Sequence, residues 1–160
     1  MPSLDPSGPD SSGPALSLAV QYASAAHNLP TRPQIRRWIR SALTHAAEIT
    51  VRIVDEEEAR ALNRDYRDKD YATNVLTFEY GETALDVLSG DIVICAAVVE
   101  KEAAEQSKRL TDHYAHLIIH GALHLQGFDH EADADAAIME TREAAILKRF
   151  GITNPYLSDS

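Results

Sequence analysis

Three of the chain's seven histidines, His120, His124 and His130, fall in one short stretch, HGALHLQGFDH. On an α-helix, residues four apart lie on the same side, so His120 and His124 would present their imidazoles together. Gly127 can adopt a positive φ that ends the helix and lets the chain reverse. That reversal would bring His130 to the same point from a loop. The spacing therefore predicts a metal site with these three histidines as its ligands.

Three imidazoles favour a catalytic ion over a closed structural one. Zn²⁺ accepts neutral imidazoles, and three protein ligands leave its fourth tetrahedral position open to water. Such an ion lowers the pKa of water to about 7 and polarises a phosphoryl or carbonyl oxygen. Other divalent transition metals also accept three imidazoles. We therefore expect one ion per chain, zinc or another divalent transition metal.

The residue after the first histidine distinguishes this site from a peptidase. The spacing H-x-x-x-H-x-x-G-x-x-H also occurs in the metzincin zinc peptidases, which place a glutamate general base there. Gly121 takes that place here. Loss of a general base would lower the rate by about 10²- to 10⁴-fold, so a zinc peptidase-like hydrolase would need another carboxylate near the metal. Gly121 also predicts open space beside the metal for a large substrate group.

Other candidate residues surround the three histidines. His113 and His116 continue the same helical stripe, and they could orient the ligands, contact substrate or pack in the core. Asp129 could orient an imidazole or handle a proton, or it could cap the turn. Cys95 follows a strand-like run, which predicts a buried packing residue and not a zinc ligand. A lone H-x-x-x-H usually reflects two ordinary imidazoles, and the third histidine after the helix-ending glycine is what favours a metal site.

The elements that must position these residues can be predicted from periodicity. Four segments are typical of strands, at 16–21, 48–54, 74–80 and 90–95. Helical segments are expected at about 31–46, from 55, at 96–107, at 110–126, and from 133 or 135 to 150. This pattern predicts an α+β fold: a single domain with a small mixed sheet of about four strands, packed with four or five helices and carrying a zincin-like H-x-x-x-H metal helix.

Two of the helices show a capping-box spacing at their start. Thr31 with Gln34, and Asp55 with Glu58, stand three residues apart just before an amphipathic run. The stripes predicted to face inward are Ile35, Trp38, Ile39 and Leu43 in the first helix, and Ala59, Leu62 and Tyr66 in the second.

The length and composition favour one soluble cytoplasmic domain. A chain of 160 residues can bury a stable core without disulfide or metal cross-links, and its single cysteine excludes an internal disulfide. No apolar run approaches the length needed to cross a bilayer. We expect a disordered tail at 1–15, rich in Pro, Gly, Ser and Asp, then a metal-dependent domain at 16–156 and a short tail at 157–160.

Charge and motif content exclude other classes. The net charge of −10 argues against a general polyanion binder, because a negative surface repels phosphate. The chain contains neither G-x-G-x-x-G nor G-K-[ST], so we expect no nucleotide cofactor, and it contains no G-x-S-x-G elbow of a serine hydrolase.

Several segments together resemble one family. HGALHLQGFDH, LNRDYRDKDYATNVLTF at 62–78, GDIVI at 90–94 and NPY at 154–156 are similar to the motifs of the YbeY family of bacterial endoribonucleases, in the same order. The resemblance extends from about residue 16 to 156. Two positions depart from the family pattern: Ala72 stands where the family usually has Pro, and Thr77 where it usually has Ser. Both lie near Arg67, so they bear on the rigidity of that loop more than on chemistry.

The resemblance implies a set of catalytic residues. His120, His124 and His130 match the ligands of a catalytic metal that is usually taken to be zinc. Arg67 matches the arginine that the family needs for RNA cleavage, and its planar guanidinium can grip phosphate oxygens in pairs and offset charge that grows during cleavage. From the residues alone, Arg67 would be a solvated side chain at a helix end.

The resemblance also implies a function and its partners. The expected activity is single-strand-specific, metal-dependent endoribonuclease cleavage in 3′-end maturation of 16S rRNA and in ribosome quality control, in the cytoplasm. The implied partners are RNA of the small ribosomal subunit, ribosomal proteins and an assembly GTPase, with no membrane. Two alternatives stay open: a non-catalytic ribosome assembly factor whose histidines hold a structural zinc, and a zinc peptidase-like hydrolase.

Overall fold

The computed structural model describes residues 14–82, 86–127 and 133–156. The tail predicted at 1–15 therefore lies outside the described residues except for its last two positions, and the tail at 157–160 lies outside them entirely. The elements within these ranges are β1 (Leu16–Ala23), α1 (Arg32–Ala42), β2 (Ala47–Val54), α2 (Glu56–Arg67), β3 (Val75–Glu82), β4 (Leu88–Cys95), α3 (Ala96–Glu105), α4 (Leu110–Leu125) and α5 (Asp133–Arg149).

The strands described here form one mixed sheet in the order β1-β2-β4-β3. β1, β2 and β4 run parallel, and β3 pairs with β4 in the antiparallel direction at the edge. Parallel neighbours need a crossover, and α1 supplies it between β1 and β2. This sheet, with its five described helices, confirms the α+β fold predicted from the sequence.

Both faces of the sheet are covered. Helices α1, α4 and α5 pack on one face, where the larger core includes Trp38, Ile94 and Tyr114. Helix α2 covers the other face, where Val93 and Cys95 lie in a smaller core. Successive strand residues point to opposite faces, so β4 contributes to both cores. Cys95 is 1% exposed, which confirms it as a packing residue.

The first predicted helix forms as expected at its start. The Thr31 side chain accepts a hydrogen bond from the Gln34 backbone, and the Gln34 side chain reaches back to the Thr31 backbone, so the capping box is complete. The helix ends at Ala42 instead of near residue 46. Leu43, at the C-cap, is still buried in the core.

The capping box predicted for α2 is wrong. Asp55 occupies the N-cap position, but its side chain makes no capping hydrogen bond and accepts one from the Ser24 hydroxyl at 2.5 Å. Glu58 pairs instead with Arg52, at 2.6 and 2.9 Å. Ser24 directly follows β1 and Arg52 lies on β2, so tertiary contacts override the local spacing.

The inward stripe predicted for α2 is also wrong at its end. Ala59 is buried and Leu62 is partly buried against the smaller core, but Tyr66 is 69% exposed. Its ring meets the edge of Phe78 with the ring centroids 5.3 Å apart. This contact with Phe78, on the edge strand β3, leaves most of the tyrosine side chain exposed.

Helix α4 is buried on most sides, and Gly121 fits it against the sheet. A Cβ at Gly121 would lie 3.1 Å from Cγ2 of Ile92, on β4. Gly121 therefore faces β4 and not the metal, and the expectation that it opens space for substrate is wrong. Its physical role is to let the metal helix approach the strand closely.

None of the described helices combines the length and the apolar character needed to cross a membrane.

Candidate metal centre

Four histidines form a continuous column along α4. His113, His116, His120 and His124 follow the helical spacing, and neighbouring ring centroids are 6.0, 6.3 and 6.0 Å apart. The His120 and His124 rings are thus adjacent. The helix ends after Leu125, and Gly127 has a φ of +100°, the conformation expected for a chain reversal. His130 and Asp129 lie outside the described residues, so the three-histidine ligand set stays a prediction.

A buried carboxylate from α5 meets the middle of this column. Glu143 is 0% exposed. One of its oxygens accepts a hydrogen bond from His116 Nε2 at 3.1 Å, and the other accepts one from His120 Nδ1 at 2.9 Å. The Tyr156 hydroxyl donates to the same carboxylate at 3.0 and 3.2 Å. Two donors from α4 and one from the C-terminal segment therefore converge on Glu143.

The protonation of this cluster follows from its hydrogen bonds. Burial raises the pKa of the Glu143 carboxyl, but hydrogen bonds from His116 and His120 outweigh it and hold that pKa at about 2. Burial and the adjacent carboxylate raise the pKa of Tyr156, so its hydroxyl remains a donor. A carboxylate only accepts, so His120 carries its proton on Nδ1. That tautomer leaves the lone pair on Nε2, the nitrogen that can bind a metal.

The cluster of His116, His120 and Glu143 could bind a metal ion, since one ligand atom from each lies within 4.8 Å of the others. Two arrangements are compatible with this geometry. The ion could lie among these three side chains, or Glu143 could orient His120 toward an ion held by its other nitrogen. Glu143 is completely buried, and its oxygens accept hydrogen bonds from three donors. Both features are typical of a carboxylate that orients a metal-binding histidine.

A second carboxylate lies at the start of the column. His113 is 3% exposed, and its Nε2 donates to Glu102 Oε1 at 2.9 Å. Asn74, in the segment before β3, donates to both oxygens of Glu102 at 3.0 and 3.3 Å. Burial lowers the pKa of His113, although Glu102 opposes this effect. His113 thus joins α4 to α3 and, through Glu102, to the end of the segment that follows Arg67.

Arg67 is the last residue of α2 and is exposed. The next residue, Asp68, has a φ of +60° and turns the chain away from the helix. Within the ranges that the structure describes, the Arg67 side chain makes no hydrogen bond or ion pair. The structure therefore does not join Arg67 to the histidines by direct contact, and its catalytic role stays a prediction.

The sequence did not predict Glu143, Tyr156 or Glu102 as parts of the site. Tyr156 falls in the NPY motif, and Glu143 carries a signal that could have been used. It falls between Met139 and Leu147, at helical spacing on the buried stripe of α5. An acidic residue in such a stripe usually has a specific partner, because an unpaired buried charge is costly.

The comparisons with known proteins decide the family. The family model described as Endoribonuclease YbeY matches residues 21–151. The chain belongs to the endoribonuclease YbeY family. An Endoribonuclease YbeY of Thiobacillus denitrificans is 68% identical over 145 residues, covering 91% of this chain and 99% of that protein. An Endoribonuclease YbeY of Albidiferax ferrireducens is 57% identical, covering 88% of this chain and 97% of that protein.

A solved structure supports the same fold. The solution structure of TM1509 from Thermotoga maritima matches with a TM-score of 0.52 and 22% identity, covering 88% of this chain and 99% of that one. At this identity the likeness concerns the fold alone. The family assignment confirms the resemblance and the class of RNA-cleaving enzyme predicted from the sequence motifs.

Replacing Glu143 by glutamine should weaken metal binding. The amide has one acceptor oxygen for three donors, so the network that fixes the tautomer and ring direction of His120 would lose at least one hydrogen bond. Losses of this kind typically cost about 10- to 100-fold in metal affinity. Titration with Zn²⁺ would measure the change, with Glu140→Gln, one turn earlier on α5, as the matched control. Unchanged affinity in Glu143→Gln would contradict the orienting role.

Proposed function

We propose that this chain is a metal-dependent endoribonuclease that cleaves single-stranded RNA. His120, His124 and His130 hold the metal, and Arg67 stabilises charge at the phosphate. The observation that carries the proposal is the hydrogen bond from Nδ1 of His120 to the buried Glu143 carboxylate. This bond leaves Nε2 of His120 available to an ion beside the adjacent His124. Membership in a family of endoribonucleases supports RNA as the substrate.

The donor set suits a transition metal. Imidazole nitrogens bind zinc and its neighbours well, and a hydrogen-bonded carboxylate behind a ligand makes that ligand more basic. When bound, the ion supplies Lewis acidity toward a phosphoryl oxygen and the attacking group. The His120 side chain is 20% exposed, so it lies at the surface end of a buried network where a substrate could reach it.

The chain's own residues hold and orient the reacting groups. Glu143, with Tyr156 and His116 bound to it, fixes the direction of His120. Arg67 is an exposed guanidinium whose donors can grip two oxygens of one phosphate. Such contacts act most strongly when they are aimed at charge that develops in the transition state.

The biological setting is part of the proposal. The substrate would be precursor 16S rRNA, cleaved in 3′-end maturation and in quality control of defective ribosomes in the cytoplasm. Ribosomal proteins and an assembly GTPase would bring the enzyme to its site. The net charge of −10 is compatible with delivery by protein partners, because such an enzyme needs no large basic surface of its own. Residues 16–156 would form the nuclease domain, between tails at 1–15 and 157–160.

One observation favours a second candidate, a non-catalytic assembly factor with a structural ion. If the ion lay among His116, His120 and Glu143, a fully buried ligand would enclose it on one side. The peptidase alternative gains less. Glu143 is the described carboxylate that contacts His120, but it is fully buried and accepts hydrogen bonds from three donors, whereas a general base must reach the attacking water.

A cleavage assay tests the proposed function directly. The purified chain should cut a single-stranded RNA much faster than the same sequence paired in a duplex. Removal of the metal by a chelator should abolish cleavage, and one equivalent of Zn²⁺ should restore it, because the ion supplies several kcal/mol of charge stabilisation. Cleavage that survives complete metal removal, or a metal-loaded chain with no activity on RNA, would count against the nuclease.

A further inference from the structure

Arg67 and the histidine column belong to elements on different sides of the sheet. α2, which ends at Arg67, packs beside the smaller core, whereas α4 packs beside the larger one. If both act on one phosphate, their separation must be fixed. A misplacement of about 1 Å can cost about 10²-fold in rate. The structure must therefore hold the end of α2 at a fixed distance from α4.

The loop at residues 68–74, which follows Arg67, is tied to α2 by local bonds. The backbone N–H of Lys69 donates to the carbonyl of Asn63 at 3.2 Å. The Asn63 side chain, 2% exposed, donates to the carbonyl of Tyr71 at 2.8 Å. These bonds make the loop and the end of α2 one unit. They do not fix that unit relative to α4.

The link to α4 runs through Glu102 on α3. The last loop residue, Asn74, donates to the Glu102 carboxylate at 3.0 Å, and His113 of α4 donates to the same carboxylate at 2.9 Å. The Asn74 carbonyl also accepts from the Cys95 backbone at 3.0 Å, where β4 passes into α3. Among the described residues, this is the one path of side-chain hydrogen bonds from the 68–74 loop to the metal helix.

We infer that Asn74, Glu102 and His113 form a positioning network that sets Arg67 at its working distance from the metal site. This inference rests on the proposed function. None of the three residues is placed against substrate or metal; they act through the loop and through α4. The network should therefore affect the rate of the bound complex and leave metal content unchanged.

Two replacements of Glu102 separate hydrogen bonding from charge. Glu102→Ala removes both bonds. Glu102→Gln can keep both, because Asn74 and His113 donate to the same oxygen, Oε1, and the amide oxygen of glutamine can take its place. Glu105→Ala, an exposed position at the end of α3, serves as the matched control.

Steady-state cleavage of a single-stranded RNA, with metal content and thermal unfolding measured on the same samples, tests the inference. For Glu102→Ala we expect kcat to fall by about 10- to 100-fold, as for a misplaced catalytic group. KM and bound metal should stay near the native values, and Glu102→Gln should recover most of the loss. Native kcat in Glu102→Ala, loss of metal in it, or an equal loss in Glu102→Gln would each overturn the inference.

Asn74→Ala keeps the test decisive if Glu102→Ala fails to fold. It removes only the loop's side-chain bond and leaves the His113–Glu102 pair and the Asn74 backbone bond in place. Its kcat should fall as in Glu102→Ala, and the double variant should be no worse than either single one. A native kcat in Asn74→Ala would overturn the inference. If the native chain itself does not cleave RNA, the proposed function fails, which is a result distinct from any of these.

Discussion

Replacing His124 by alanine should remove the bound metal and RNA cleavage together. The imidazole is the neighbour of His120 on α4, with their ring centroids 6.0 Å apart, and two ligands cannot hold an ion as three do. The ion's contribution of several kcal/mol corresponds to a loss of at least about 10³-fold in kcat. Metal analysis and a cleavage assay on the same sample would measure both effects.

His27→Ala is the matched control for that experiment. His27 is exposed and lies between β1 and α1, outside the histidine column. Its replacement should leave metal content and cleavage at native levels. If His124→Ala kept a full equivalent of metal while losing activity, His124 would not be a ligand, and a site among His116, His120 and Glu143 would gain support.

Replacing Arg67 by alanine should have the second large effect: RNA cleavage should fall while the bound metal is retained. The side chain is exposed at the end of α2 and makes no contact with the histidines in the described structure, so metal content should not change. Loss of a donor aimed at developing charge typically costs about 10²- to 10³-fold in kcat. The measurement is a cleavage assay with the metal-loaded variant.

Arg64→Ala provides the comparison for Arg67. Arg64 lies one turn earlier on α2, and its side chain pairs with Asp65 at 3.3 Å in an exposed position. Exposed pairs of this kind contribute about 1 kcal/mol or less to stability, so cleavage should be unaffected. Equal losses in both variants would indicate a general effect of surface charge, and native cleavage by Arg67→Ala would remove its proposed role.

The parts of the site that depend on local spacing could be predicted from the sequence. The column of His120 and His124 follows from helical geometry, and the positive φ of Gly127 follows from a glycine after the last helical residues. The capping box of Thr31 and Gln34 is also local. In each case the interacting residues lie within a few positions of one another, so one periodicity or one turn determines the outcome.

The parts that depend on tertiary contacts could not be predicted in this way. Asp55 and Glu58 have the spacing of a capping box, yet their carboxylates bind Ser24, directly after β1, and Arg52, on β2. The local sequence does not show that the two carboxylates bind these partners in preference to the backbone N–H groups at the start of α2. Tyr66 has the period of a buried residue, but in the packed structure it is 69% exposed and its ring contacts the edge of Phe78 on β3.

Gly121 and Glu143 show the same limit at the site itself. The sequence placed Gly121 beside the metal because it follows a ligand, but one residue along a helix is a rotation of about 100°, and this turns it toward Ile92. Glu143 follows His120 by 23 positions and reaches it only because α5 packs against α4. The residues that orient a metal ligand are thus less visible in sequence than the ligand itself.

The position of the ion in crystals of the chain grown with Zn²⁺ would show whether His120, His124 and His130 bind one metal ion. Anomalous diffraction at the zinc edge locates the ion independently of any assumed ligands. We expect one strong peak bound by His120 through Nε2, His124 and His130, with Glu143 hydrogen-bonded to Nδ1 of His120 and not to the ion. A peak coordinated by His116 and Glu143, or three imidazoles that share no ion, would contradict it.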